Sequence, residues 1–310
     1  MHTVLQEWAA RRGYRMAVGD PGVLAEVRAE IQGRAAAAEF EEGFFRTHLS
    51  GFRYGAEEES FRAPGAKIIL LAVPRPAHRI VFQLREGTLE AVLPPTYLSY
   101  RRLFEELRAE LAALLGVGIR LAVLNAPLKA VAVRLGLAAY GRNNLAYVPG
   151  MGSYHQLVGF LVEGAGLRPA EARPPRLLPA CEACQACCRA CPTGAIGADR
   201  ILLRAERCLT YLNEEPGPWP EWLPRIAHRC LVGCLACQEV CPENRGLLRF
   251  ERLEEGFSPE ETERLLRGPD EADPIWRRIK ERLAAMGLPG YEEILGRNLM
   301  ALMEEPGPTR

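Results

Sequence analysis

The stretch "CEACQACCRACPTGAI", residues 181–196, places five cysteines within eleven positions and follows the last of them with a proline. Cys181, Cys184, Cys187 and Cys191 are spaced C-x2-C-x2-C-x3-C-P, the run found in bacterial ferredoxins. Thiolates two residues apart can hold three irons of a cubane cluster, and the fourth cysteine of this run ligates a neighbouring cluster. The spacing therefore predicts a domain built around two [4Fe–4S] clusters.

A second cysteine-rich stretch, "CLVGCLACQEVCPEN", covers residues 230–244 and ends in the same C-x2-C-x3-C-P pattern without a leading cysteine. Reciprocal ligation then predicts two sets: Cys181, Cys184, Cys187 and Cys241 for cluster one, and Cys191, Cys234 and Cys237 for cluster two. Either Cys208 or Cys230 supplies the last ligand of cluster two. Cys188 and the unused cysteine of that pair are surplus, and we expect them to be small buried apolar side chains.

Two other uses of cysteine fit the sequence less well. Structural zinc also takes four cysteines, but typically in paired C-x2-C knuckles without the x3-C-P end. Disulfides belong to oxidising compartments, and the opening "MHTVLQEWAARRGY" lacks the basic and apolar regions of a signal peptide. The longest apolar runs are also far shorter than the ~20 residues that span a bilayer. The sequence thus predicts a cytoplasmic protein.

Composition excludes several broad classes of function. The chain of 310 residues is 48% apolar and has a formal net charge of zero, so no global attraction to nucleic acid or anionic membrane is expected. Walker-type loops, a G-x-G-x-x-G after a strand and the G-x-S-x-G elbow are all missing from the sequence. Nucleotide-driven and hydrolase activities are therefore not predicted.

The pattern of apolar residues predicts four segments. Residues 1–165 alternate helical and extended patterns, with buried strands in "AKIILLAVP", "RIVFQL" and "IRLAVLN", which is typical of an α/β or α+β domain. The others are a Gly- and Pro-rich linker at 166–180, the ferredoxin-type two-cluster domain at 181–246, and two or three amphipathic C-terminal helices at 247–310.

With these motifs, the chain resembles the epoxyqueuosine reductases, the cobalamin-dependent iron–sulfur enzymes of tRNA queuosine synthesis. The resemblance is closest in "CEACQACCRACPTGAI", "RCLTYLNEE" and "CLACQEVCPEN". It implies that Cys208 is the eighth cluster ligand and that Cys188 and Cys230 are spare. It also implies that the N-terminal domain resembles the cobalamin-binding domain of that family.

Two upstream segments, "NAPLKAVAVRLGLAAYGRNN" and "GMGSYHQLVGFLVE", are similar to segments that help line the cobalamin pocket of the family. This similarity implies a set of cofactor-binding residues: Asn125, Gly141, Arg142, Asn143 and Ser153. Arg142 stands where the family has lysine, which keeps the charge but changes the donor geometry. Tyr100 and Tyr140 are the candidate catalytic residues.

The chain also departs from the family. Leu124 occupies the position of the proton-donating aspartate, and a leucine cannot donate a proton. Only Tyr100 remains of the family's Asp-Tyr-His element, and the C-terminal tail is shorter than the family's tRNA-binding repeats and has no basic stripe. His155 is alone in its segment, so we expect a satisfied polar residue rather than a cobalt ligand.

Three hypotheses follow. In the first, an external donor such as flavodoxin or ferredoxin passes single electrons through the two clusters to a cobalamin and then to an unidentified substrate. In the second, the chain is a cobalamin-free electron-transfer or reductive-activation protein that acts on a partner. In the third, it modifies tRNA in a queuosine-type reaction with a different proton donor.

Overall fold

The computed structural model describes residues 1–59, 61, 65–198, 200, 202–224 and 227–303. The helices, in chain order, are α1 (His2–Arg11), α2 (Gly22–Ala36), α3 (Glu42–Phe44), α4 (Tyr100–Leu115), α5 (Leu128–Arg134), α6 (Ala186–Ala190), α7 (Leu209–Glu214), α8 (Ala236–Glu239), α9 (Pro259–Arg267), α10 (Pro274–Met286) and α11 (Glu292–Met303). The strands are β1 (Arg15–Gly19), β2 (Gly55–Ala56), β3 (Lys67–Pro74), β4 (Ala77–Gln83), β5 (Thr88–Leu93), β6 (Arg120–Asn125), β7 (Ala139–Tyr140), β8 (Ala146–Tyr147), β9 (His155–Glu163) and β10 (Phe250–Arg252).

The described residues form two compact units that alternate along the chain. The first unit consists of residues 1–74, 102–185 and 196–204, and the second consists of residues 75–101, 186–195 and 205–310. As domain limits, the predicted boundaries at 165, 180 and 246 stay predictions, and residues 304–310 of the predicted C-terminal segment lie outside the described residues.

The first unit is a three-layer sandwich around one antiparallel sheet with the order β1-β3-β9-β6-β2. Alternate side chains of β3 point to opposite faces of the sheet. Ile68 and Leu70 pack with α2 and α5, whereas Ile69 and Leu71 pack with α1 and α4. Because both faces are covered, β3 is a continuous apolar run, which explains why the sequence predicted it as a buried strand.

The predicted strands AKIILLAVP and IRLAVLN are β3 and β6 of this unit, whereas RIVFQL is β4 of the second unit. Helix α5 stops at Arg134, because Gly136 takes a left-handed backbone with φ of +70°. The following residues form the short hairpin β7–β8. The predicted linker is hydrogen-bonded to this unit, since Ala170 donates its N–H to the Val18 carbonyl and Leu178 donates to the Tyr140 carbonyl, each at 2.8 Å.

The second unit has a three-stranded sheet, β10-β4-β5, in which β4 pairs antiparallel to β5 and parallel to β10. Helices α9, α10 and α11 cover it, and Trp276, Ile279 and Leu283 of α10 are buried in the same apolar cluster as Phe82 of β4. The sequence predicted two or three C-terminal helices, and the described residues contain three, α9, α10 and α11. Helix α9 begins with a capping box between Ser258 and Glu261, a start signal visible in the sequence.

No helix in the described part of the chain is both long enough and apolar enough to span a membrane.

Candidate iron–sulfur and cofactor site

The cysteines of each run lie on and beside a short helix. In the first run, α6 carries Cys187 and Cys188, and Cys191 follows it, where Pro192 ends the helix. In the second run, α8 carries Cys237. Helices α6 and α8 pack against each other within the second unit, so the repeated sequence pattern is also a repeated local structure. All ten cysteines are outside disulfides.

Three thiols of the second unit lie close enough to interact electrostatically. Burial, together with the neighbouring Cys208 and Cys191 thiols, raises the pKa of Cys234 to about 11. Burial also raises the pKa of Cys208, with an additional contribution from Cys191. Cys191, Cys208 and Cys234 thus interact electrostatically with one another, although they are far apart in the sequence.

Such an arrangement suits iron better than it suits free thiols. Thiolates in a buried space repel one another, so without a cation the thiols stay protonated. Bound iron reverses this balance, because a coordinating metal deprotonates a thiol outright. The donor set therefore fits the chemistry of an iron–sulfur cluster, whose ligands are cysteine thiolates.

Cys230 interacts electrostatically with Cys234 of this set. Burial raises its pKa to about 12, with the Cys234 thiol as the second cause, and the residue is 3% exposed. Its neighbours Leu231 and Val232 belong to the apolar core of the second unit. The surroundings of Cys230 are therefore those of a small core side chain; that it is spare stays a prediction.

The sulfur of Cys191 is held by backbone and hydroxyl groups. The Ala195 N–H donates to Cys191 Sγ at 3.3 Å, and Thr193 Oγ1 lies 3.5 Å from the same sulfur. Arg207 Nε in turn donates to the Thr193 carbonyl at 2.8 Å. Hydrogen bonds to ligand sulfurs are one of the features by which a protein tunes a cluster.

Cys188 adjoins Cys187 on α6 and is half-buried. Successive residues of a helix are separated by about 100° around its axis, so the two side chains leave α6 in different directions. The cysteine spacing predicts Cys187, and not Cys188, as the cluster ligand.

The predicted cofactor residues Gly141, Arg142 and Asn143 lie in the turn of the β7–β8 hairpin. The side chains of Arg142 and Asn143 form hydrogen bonds within the first unit. A Cβ atom on Gly141 would lie 2.4 Å from Tyr147 Cε2, so the site requires glycine. Asn143 is 2% exposed, and its Nδ2 donates to the Tyr147 hydroxyl at 2.9 Å. Arg142 donates Nη1 to the Ala198 carbonyl at 3.0 Å and Nη2 to the Cys181 carbonyl at 2.9 Å.

The other predicted residues of the pocket are dispersed. Asn125, at the end of β6, accepts a hydrogen bond from the Arg53 N–H at 2.8 Å. Ser153 is half-buried in the turn before β9. Tyr100 begins α4 and is 43% exposed, whereas Tyr140 belongs to β7 and is half-buried.

Tyr140 lines a cavity of about 480 Å³ in the first unit. Phe40, Phe44 and Leu49 form an apolar wall of this cavity, and charged groups line the rest of it. The other lining residues are Glu30, Ile31, Arg34, Pro127, Lys129, Ala130, Arg134, Asn144, Pro175, Arg176, Leu177 and Leu202. Burial and the Glu30 carboxylate raise the pKa of Tyr140 to about 12. Sequence reasoning missed Lys129 and Asn144, although both lie in segments that it singled out.

This cavity can be compared with the needs of a cobalamin, which combines a flat macrocycle with amide and phosphate substituents. The apolar wall suits the macrocycle and the basic groups suit the polar substituents in chemical kind. At about 480 Å³ the cavity is much smaller than a whole cobalamin, so it would receive only part of the cofactor. The five predicted residues are not among the described lining residues; Gly141 and Asn143 instead shape the turn that contains Asn144.

Leu124 lies in the core rather than at this cavity. It is 3% exposed, and its Cδ2 would be only 3.1 Å from a Cβ on Gly159, so the glycine leaves room for the leucine. The position that carries an acid in the resembling family is thus packed and apolar in this chain.

His155 is 7% exposed, and burial lowers its pKa to about 4, although a backbone hydrogen bond with Gly152 opposes that shift. The imidazole is therefore neutral at physiological pH. Its environment is that of a buried residue of β9.

Comparison with known proteins agrees with the predicted clusters and the predicted resemblance. Residues 180–244 match the family model of the 4Fe-4S double cluster binding domain. Epoxyqueuosine reductase of Staphylococcus aureus is 37% identical over 120 residues, which are 38% of this chain and 30% of that protein. The Synechococcus enzyme of the same name is 39% identical over 128 residues, 41% of this chain and 38% of that protein. These matches cover less than two-fifths of each relative.

Solved structures extend the likeness over the whole fold. Epoxyqueuosine reductase from Streptococcus thermophilus superposes with a TM-score of 0.64 at 20% identity, covering 96% of this chain and 80% of that chain. The Bacillus subtilis enzyme, solved with an aspartate-bearing catalytic loop swung out of its active site, gives 0.61 at 19% identity, covering 97% and 80%. Another epoxyqueuosine reductase was solved with an epoxyqueuosine-modified tRNA stem loop, with a TM-score of 0.61 at 20% identity, covering 97% and 80%. The predicted fold class and resemblance are confirmed.

Proposed function

Since this chain is an iron–sulfur relative of the epoxyqueuosine reductases, we propose that it is an oxidoreductase that passes single electrons through two [4Fe–4S] clusters to a cobalamin and then to a substrate. The observation that carries the proposal is the match of residues 180–244 to the 4Fe-4S double cluster binding domain. The electrostatic coupling of Cys191, Cys208 and Cys234, which are far apart in the sequence, also supports it. An external donor such as flavodoxin or ferredoxin would supply the electrons.

The proposed ligand sets are those predicted from the sequence: Cys181, Cys184, Cys187 and Cys241 for cluster one, and Cys191, Cys208, Cys234 and Cys237 for cluster two. Two observations favour Cys208 as the eighth ligand: it interacts electrostatically with both Cys191 and Cys234, and the neighbours of Cys230, Leu231 and Val232, belong to an apolar core.

The cobalamin is proposed to occupy the cavity lined by Tyr140 and Asn144, where it would supply a metal centre that accepts single electrons. Phe40 and Phe44 would exclude water from one side of that cavity. Lys129 Nζ donates to the Asn144 carbonyl at 2.7 Å and to its Oδ1 at 2.8 Å, which orients the Asn144 amide at the rim. Asn125, Gly141, Asn143 and Ser153 would support the surrounding segments.

Of the two candidate catalytic residues, we propose Tyr140 as the proton donor. Its phenol lines the cavity and, with a pKa raised to about 12 by burial, stays protonated at physiological pH. Tyr100 is largely exposed at the start of α4. Leu124 cannot fill this role.

Anaerobic reconstitution with iron and sulfide tests the proposal. We expect about eight irons per chain and, on titration with cobalamin, a saturable change in the corrin absorbance. Tyr140→Phe should leave the iron content and corrin binding intact, so any later loss of turnover is separable from loss of cofactor. Two clusters without any corrin binding would contradict the cobalamin part of the proposal and leave the clusters standing.

One observation favours a second function, cobalamin-free reduction of a partner protein. Leu124 is buried against Gly159 where the family carries its acid, so the chemistry that depends on that acid is missing. Cluster-dependent reduction of a partner protein without turnover of a small molecule would support this alternative.

The third possibility, tRNA modification with another proton donor, stays a prediction. A strain lacking queuosine tests it directly: restored queuosine on expression of this chain would support it, and failure with soluble, cluster-loaded protein would argue against it.

A further inference from the structure

The guanidinium of Arg142 connects the β7–β8 hairpin of the first unit to the segment that carries the first cysteine run. Its two donors reach the carbonyls of Cys181 and Ala198 at 2.9 Å and 3.0 Å. Cys181 is the first cysteine of the run, and Ala198 lies seven residues after its last cysteine, Cys191. One side chain therefore joins the beginning of the run to the chain that follows it.

Arg142 is itself held rigidly. The preceding Gly141 donates its N–H to the Leu145 carbonyl at 2.8 Å, and the following Asn143 is buried against Tyr147. The Tyr140 N–H donates to the Arg176 carbonyl at 2.9 Å, which ties the hairpin to the chain leading into Cys181. A rigid base lets the planar guanidinium form both hydrogen bonds at little further cost in entropy.

We propose that Arg142 is a positioning residue for cluster one: it fixes the backbone of Cys181 and places a positive charge beside that ligand. The inference rests on the proposed ligand sets, and it gives Arg142 a role at the cluster instead of the predicted role in the cobalamin pocket. Both Nη groups already donate to backbone carbonyls, and the buried Nε has no partner among the described residues.

The charge has a predictable electrochemical effect. Reduction adds an electron to the cluster, and a nearby cation stabilises the reduced form, so net charge and hydrogen bonding set the potential. Loss of the guanidinium should therefore lower the potential of cluster one. Cluster two, whose ligand Cys191 is instead supported by Thr193 and Ala195, should keep its potential.

Arg142→Gln tests this in the full-length chain by potentiometric titration followed by electron paramagnetic resonance. We expect one of the two midpoint potentials to fall and the other to stay unchanged. The affected signal should be the one that Cys184→Ser abolishes. Arg142→Lys keeps the positive charge but can form one of the two hydrogen bonds at most. The midpoint potential of cluster one should therefore stay at the wild-type value. A chelator should nevertheless remove cluster one faster than it does from the wild type.

Arg108→Gln is the matched control. Arg108 also lies in the first unit and donates Nη2 to a backbone carbonyl, that of Leu121 at 3.1 Å, but no cysteine accepts from it. It should leave both potentials unchanged. If Arg142→Gln leaves both potentials unchanged, or shifts both equally, the inference is wrong.

If Arg142→Gln protein does not fold, Arg142→Lys decides alone: cluster one must be lost faster at an unshifted potential, and any other outcome overturns the inference. Two clusters without cobalamin binding would overturn the proposed function and leave this inference intact. A wild-type chain that cannot hold two clusters would overturn both.

Discussion

The cysteine segments of the second unit and the hairpin turn of the first unit were both predicted as sites, yet they use their polar groups in opposite ways. Burial raises the pKa of Cys208 and of Cys234; Cys191 raises both further, and Cys208 adds to the shift of Cys234. In the turn, Arg142 and Asn143 donate to groups of the protein itself. Side chains that converge without satisfying one another mark a place for a ligand, whereas satisfied side chains mark scaffold.

The largest effect is expected from Cys208→Ala, which should remove cluster two. Iron should fall from about eight to about four per chain, because the remaining thiols of that set cannot complete the fourth coordination position. Cys230→Ala is the matched variant and should keep both clusters with a modest loss of stability. Iron and sulfide analysis with electron paramagnetic resonance measures both; the reverse result would make Cys230 the ligand.

Acid should destabilise the protein through His155. Its pKa is lowered to about 4 in the fold against 6.5 in the unfolded chain, so the unfolded state binds more protons between these values. The contribution is fully present above pH 6.5, is lost as the pH falls toward 4, and amounts to about 3 kcal/mol.

Urea unfolding of wild type and His155→Gln at pH 7.0 and at pH 4.5 measures it. The free energy of unfolding of the wild type should drop more than that of the variant between these two values. If the free energy of unfolding falls equally in both proteins, His155 is not buried in its neutral form in β9.

Gly141→Ala should cost about 1–3 kcal/mol, because the new methyl group would overlap the Tyr147 ring and the Asn143 side chain. Gly33→Ala is the matched control, since Gly33 lies within α2 and has nothing within 4 Å of the added atom. That substitution should stabilise the protein by roughly 0.5–1 kcal/mol. Thermal unfolding checks both; an unchanged Gly141→Ala protein would show that the turn is not tightly packed.

The smallest effect is expected for Cys188→Ala, which should keep both clusters in full. Cys188 adjoins Cys187 on α6, so its side chain leaves the helix in another direction. Loss of either electron paramagnetic resonance signal would show that the spare thiol takes part in ligation.

The sequence allowed the cluster type to be predicted because the ligand spacing is local: C-x2-C-x2-C-x3-C-P has meaning within a dozen residues. Strand β3 and helices α9 and α10 were predictable for the same reason, since their periodicity and caps are local patterns. Strands β4 and β5 pack with the C-terminal helices of the second unit, which no local pattern indicates.

By itself, therefore, the sequence determined the two clusters, the α/β class and the relationship to a family, because spacing, periodicity and motif are properties of neighbouring residues. Only the tertiary structure buried Leu124 against Gly159 and directed Arg142 to the Cys181 carbonyl. Those facts depend on contacts between residues far apart in the chain, and folding brings such residues together through packing that no short stretch encodes.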